Sequence, residues 1–218
     1  KEVERGDDEN VDKWLKQLID PGASLGGARP KASFRDTDGS LWLAKFPASD
    51  DRRDVGLWEY LTYQLSILAG IDMPLARVLK LSARGHTFTV QRFDRTLSSR
   101  RLYNSAMTRL AKSDSHDVSY LDIVQVIENE GASTQIDQQL TQLFRRVLFN
   151  ILIGNRDDHL RNHGFLRYGN GWMLSPAFDV NPNPEKYEHV LKIDGNDASP
   201  NSELLMDTAE YYRLTPQT

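Results

Sequence analysis

An apolar run that ends abruptly in charge constrains this chain most. Val147-Leu148-Phe149-Asn150-Ile151-Leu152-Ile153-Gly154 is followed at once by Asn155-Arg156-Asp157-Asp158-His159-Leu160-Arg161-Asn162. Upstream, Leu140, Leu143, Phe144, Val147, Leu148, Ile151 and Leu152 recur at helical spacing, with Arg145 and Arg146 assigned to the opposite face. A buried helix therefore delivers a charged loop. Asp157, Asn162 beyond it, and Asp179 between Phe178 and Val180 supply two carboxylates and an amide. Phosphoryl transfer needs little more: one acid to accept or orient a hydroxyl proton, and oxygen ligands that hold Mg2+. The same spacing also suits an Asp157 that caps a loop and an Asp179 that caps a turn.

The segments around this loop predict an α+β chain. Ala32–Arg35 and Ser40–Phe46 read as strands around the turn Asp36-Thr37-Asp38-Gly39, and Ala76–Leu81 and His86–Arg92 as strands around Arg84-Gly85. Between these pairs, Asp54 caps a helix from Val55 to about Ala69. Its apolar residues Trp58, Leu61, Leu65, Leu68 and Ala69 form one stripe, and Gly70 stops it. Trp14, Leu15, Leu18 and Ile19 predict a short helix before Asp20-Pro21-Gly22. Later come a helix over Tyr120–Ile127 closed by Gly131, a hairpin of Gly164–Tyr168 with Trp172–Ser175, and a helical Ser202–Tyr212. The expected division is a polar segment and short helix over 1–20, a β-rich lobe over 21–94 and a helical lobe over 95–218.

Composition narrows the function. A net charge of -4 argues against broad nucleic-acid binding by this chain alone. With no cysteine there is no disulfide, thiolate metal site or thiol nucleophile, which suits a reducing cytoplasm. No apolar run approaches the roughly 20 residues of a membrane span. The polar start is no signal peptide, and it lacks an initiator Met, as a fragment or processed product would.

Lys45 lies in an apolar strand, where a cation is costly unless paired or bound to an anion. It could hold ATP phosphates, braced by Glu59; the alternative is a lysine that faces outward, with Glu59 merely solvated. His159 and His163 beside Asp157 and Asp158 would allow a hydrolytic metal centre, although loop histidines of this kind more often orient the loop or touch phosphate.

Several blocks now occur in order: Ser24-Leu25-Gly26-Gly27-Ala28-Arg29-Pro30-Lys31, Leu43-Ala44-Lys45-Phe46-Pro47, Gln91-Arg92-Phe93-Asp94-Arg95, Asn155 to Asn162, and Pro176-Ala177-Phe178-Asp179. Together they resemble the HipA family of bacterial serine/threonine kinases, the toxin halves of toxin–antitoxin pairs. The resemblance implies a two-lobed protein-kinase-like fold, with a β-rich N-lobe and a mostly helical C-lobe, that uses ATP and Mg2+. It implies Asp157 as catalytic base, Asn162 and Asp179 as Mg2+ ligands, and Lys45 as the lysine on the ATP phosphates. Ser24, Gly26, Gly27 and Ala28 would form the phosphate loop, with His159 at phosphate. Gln91, Arg92 and Phe93 would form the hinge at adenine, although the family often has Glu where this chain has Gln91. Ser24, otherwise an ordinary turn serine, falls at the family's autophosphorylated serine. The implied target is a translation-machinery protein of the aminoacyl-tRNA synthetase class. The implied partner is a DNA-binding antitoxin, through which alone the chain meets DNA. Full-length members usually carry a further N-terminal subdomain, so this chain reads as a fragment, a compact relative or the survivor of a split gene. The competing readings are a catalytically silent subunit that binds nucleotide and antitoxin, and a small-molecule kinase on the same scaffold.

Overall fold

The computed structural model describes residues 29–183 and 185–215. The helix expected around Trp14 and the loop from Ser24 to Ala28 lie outside them. The chain divides into two compact units: residues 1–63 with 74–99, and residues 64–73 with 100–218. Among the described residues, no helix is long and apolar enough to cross a membrane.

In the first unit, β1 (Lys31–Arg35), β2 (Leu41–Lys45), β3 (Ala76–Ser82) and β4 (Gly85–Gln91) form an antiparallel sheet in the order β1-β2-β4-β3. Alternation in β2 buries Trp42 and Ala44 on one face. Helix α1 (Val55–Leu68) starts where Asp54 Oδ1 accepts from the Leu57 N–H at 3.1 Å.

The apolar stripe of α1 does not face the sheet. Trp58, Leu61, Leu65 and Leu68 are exposed, while Gly56, Glu59, Thr62, Tyr63 and Ser66 are buried. Close packing on β4 explains this reversal. A Cβ at Gly56 would stand 2.0 Å from the His86 carbonyl oxygen, so only glycine lets the helix lie there. Glu59, one turn on, is drawn inward by Lys45. Periodicity locates an apolar stripe without saying which face an ion pair will bury.

The second unit centres on α3 (Tyr120–Glu130) and α4 (Ile136–Ile153). Tyr120, Ile123, Ile127, Leu140, Leu143 and Val147 are fully buried in one core with Phe165, Leu191 and Ile193. Ser119 and Asp122 form a capping box at the start of α3. Two expectations for α4 need correction. Leu152 is exposed. Arg146 is buried beside Val147, and its Nη2 donates to the Ser175 carbonyl oxygen at 2.6 Å. Burial brings this guanidinium down to about 10, against the fields of Asp72 and Asp158.

A second antiparallel sheet, β5-β6-β7, joins Tyr103–Ser105, Gly164–Tyr168 and Gly171–Leu174. Strand β5, which the sequence pattern does not announce, leads into the short α2 (Ala106–Arg109). The C-terminal helical stretch divides into α5 (Ser202–Asp207) and a 3-10 turn, Ala209–Tyr212.

Candidate active site

Each unit holds its own cluster of polar side chains. In the first, Lys45 closes β2, and its Nζ meets Glu59 Oε1 at 2.5 Å. The two side chains are only 12% and 6% exposed. The ammonium also lies 5.8 Å from the centre of the Phe88 ring. The expected pairing of strand lysine and helix glutamate is thus formed. Arg29, at the end of the expected phosphate loop, is held by Asp51 in a bidentate pair of 2.7 and 2.5 Å. The hydrogen bond to Asp51 holds Arg29 above its ordinary value.

At the expected hinge, the N–H of Gln91 donates to Leu75 O and that of Arg92 to Leu41 O, each at 2.8 Å. Those two donors are engaged within the first unit. The Arg92 guanidinium is paired with Asp94 at 2.9 and 2.7 Å.

In the second unit the charged octet begins where α4 ends. Gly154 takes φ 71°, and the Asn155 N–H donates back to Asn150 O at 2.9 Å. Leu160 pins the loop into the core, with its N–H on Ser115 Oγ at 3.0 Å. Beneath the loop lies a hub. Asp158 Oδ2 accepts from Tyr120 O–H at 2.9 Å and from Asn150 Nδ2 at 2.8 Å, and it lies 2.8 Å from His163 Nε2. All four residues are buried. Burial pushes the Asp158 carboxyl up, but His163, the Tyr120 hydroxyl and His159 together hold it below the ordinary value. The Tyr120 hydroxyl is pushed well up by burial and by the Asp158 charge.

This hub fixes the direction of its neighbours. Asp158 points inward, and Asp157 stands out with its side chain 53% exposed. Asn162 is buried on the 3-10 turn Leu160–Asn162, its Nδ2 3.4 Å from Asp157 O. Asp179 is exposed and takes φ 58°, a left-handed conformation that costs a non-glycine residue energy. Ala177 and Val180, on either side of it, pack with Phe149 and Ile153 at the end of α4. One helix end thus positions both the loop acid and the second acid.

His163 and Asp158 are engaged with each other inside the protein, and no group of three or more His, Asp or Glu residues suited to a metal occurs among the described residues. The hydrolytic metal reading has no support in this arrangement. His159 is half-buried, with an unpartnered Nδ1. Sequence reasoning missed the hub. It also missed Lys186, whose Nζ pairs with Asp157 Oδ1. A lone lysine in an Asn/Pro-rich loop carries no signal in its spacing.

The model of the HipA-like C-terminal domain family matches residues 23–217. The chain belongs to that family. A Haemophilus influenzae protein named "Putative kinase" is 24% identical over 151 residues, 61% of this chain and 43% of the relative. Among solved structures, Shewanella oneidensis HipA, in the complex of HipA, HipB and operator DNA, is similar at a TM-score of 0.74 and 18% identity, covering 95% of this chain and 58% of that one. The Helicobacter pylori proinflammatory kinase CtkA is similar at 0.61 and 16% identity, covering 84% and 77%. The chain therefore spans about half the length of the H. influenzae and S. oneidensis relatives. The fold is the α+β, kinase-like one of HipA and CtkA, with a β-rich and a mostly helical unit.

Proposed function

We propose that this chain is an ATP- and Mg2+-dependent serine/threonine protein kinase. The observation that carries the reading is the enclosed Lys45–Glu59 ion pair, which supports Lys45 as the cation that meets the ATP phosphates. Asp157 is exposed enough to receive a hydroxyl, and its carboxylate accepts the proton as the hydroxyl oxygen takes the phosphoryl group. The Asn162 amide oxygen and the Asp179 carboxylate are oxygen donors of the type Mg2+ prefers, and these two residues would hold it. When bound, the ion offsets charge on the phosphates.

The family supports a protein substrate of the translation machinery, with an aminoacyl-tRNA synthetase as the candidate class. It also supports autophosphorylation on Ser24. The S. oneidensis complex supports a DNA-binding antitoxin as partner, with DNA met through it. A phosphate on Ser24 would place about two negative charges beside the phosphate loop and repel ATP.

The test is incubation with MgATP followed by phosphopeptide mapping, with Lys45→Met alongside. Wild type is expected to carry phosphate on Ser24, and Lys45→Met to lose both nucleotide binding and labelling. Labelling of Lys45→Met at the wild-type rate would remove the basis of the assignment.

A further inference from the structure

A cation from the chain beyond residue 184 meets Asp157, and the backbone from Lys186 onward is anchored. Arg156, immediately before Asp157, donates from Nη1 to the carbonyl oxygen of Lys186. The N–H of His189, a buried residue, donates to Ala198 O at 2.8 Å. The Lys192 N–H donates to Val118 O and its carbonyl accepts from the Tyr120 N–H, each at 3.0 Å. Leu191 and Ile193 are fully buried in the core. Lys186 thus begins a fixed strap, and its ammonium is brought to Asp157 Oδ1. The two side chains are 43% and 53% exposed, so the pair is open to solvent and to a docking substrate.

An exposed ion pair adds little to stability. A lysine needed only for solubility would not require its backbone tied to the residue beside the catalytic acid. We propose that Lys186 is a catalytic residue that binds the transferring phosphoryl group; this rests on the kinase reading of Asp157. In the step, the hydroxyl oxygen bonds to the γ-phosphorus and the bond from that phosphorus to the β–γ bridging oxygen breaks. Its electron pair leaves on ADP, and the hydroxyl proton passes to Asp157. Negative charge is spread over the phosphoryl oxygens throughout. An ammonium has three donors, so Lys186 keeps one on Asp157 Oδ1 and offers another to a phosphoryl oxygen.

The test uses Lys186→Ala and Lys186→Arg in the full chain, at saturating MgATP. For Ala, kcat is expected to fall roughly tenfold to a hundredfold, less than for a buried oxyanion donor because the site is half-exposed, with the nucleotide KM and melting temperature unchanged. Arg is expected to recover most of the rate, since it restores the charge. A second readout needs no turnover. Affinity for MgADP with aluminium fluoride, a mimic of the moving phosphoryl group, is expected to weaken about tenfold in Ala, and affinity for MgADP alone to hold. An Ala variant as fast as wild type overturns the proposal, as does a faster one, which would make Lys186 a block on the base. Equal losses in Ala and Arg with a lowered melting temperature would mark it as structural and also overturn it. A wild type that binds MgATP and phosphorylates nothing removes the kinase reading itself, and this proposal with it.

Discussion

Replacing Asp158 with alanine probes the support of the charged loop after α4. In the wild-type protein one carboxylate oxygen serves Tyr120 O–H, Asn150 Nδ2 and His163 Nε2, at 2.9, 2.8 and 2.8 Å. Alanine leaves these polar groups facing a small void. Each buried polar group left unsatisfied costs about 1–3 kcal/mol, and three such groups lose their partner. An entering water would recover part of that. We expect a net loss of about 3–5 kcal/mol. For a chain of this size each kcal/mol lowers the melting point by about 2–4 °C, so the shift is roughly 6–20 °C. Tyr120→Phe is the control: it removes one donor and leaves the carboxylate its others, for a loss of about 1 kcal/mol. Thermal unfolding followed by circular dichroism reads both. If Asp158→Ala melts within about 2 °C of wild type, the hub does not hold the loop and the reasoning fails.

The Asp158 carboxyl also sets an acid limit. Its folded value lies below the ordinary one, so its contribution to stability is complete above about pH 4 and is lost as the pH falls through the folded value. Asp158→Asn should therefore show a shallower loss of stability on acidification than wild type, as denaturant melts across that range would reveal. Gly56→Ala forces a methyl to within 2.0 Å of the His86 carbonyl oxygen, so α1 must move off β4. We expect a loss of about 1–3 kcal/mol and weaker nucleotide binding as Glu59 withdraws from Lys45. Calorimetry and a fluorescent nucleotide would report the two effects, and unchanged values for both would contradict this packing.

The sequence announces the strands of the first unit because alternation and turn residues act locally, as in β2 and around Gly39. It announces α4 because Leu140, Leu143, Val147 and Ile151 do face one core. The orientation of α1 stays hidden, since it depends on a glycine contact with β4 and an ion pair with β2. Arg146 misleads for the opposite reason: a buried carbonyl, Ser175 O, gives the charge a partner that no spacing rule anticipates. Strand β5 is only Tyr103–Ser105, and pairing with β6 makes it a strand. In the site, Asp157 and Asn162 are legible because they lie on one loop. Asp158 belongs to the same octet, yet its role comes from Tyr120 and Asn150, which the fold brings to it. Lys186 is illegible for the same reason.

Phosphotransfer by wild type, Asp157→Ala and Asp179→Ala, with nucleotide binding measured in the same samples, bears most closely on the kinase assignment. Wild type should transfer the terminal phosphoryl of ATP to a protein hydroxyl. Asp157→Ala should bind nucleotide normally and transfer it at least roughly a hundredfold more slowly, and Asp179→Ala should lose the Mg2+ dependence of binding. Wild-type turnover in Asp157→Ala would contradict the assignment of the loop acid and, with it, the kinase chemistry proposed for this fold.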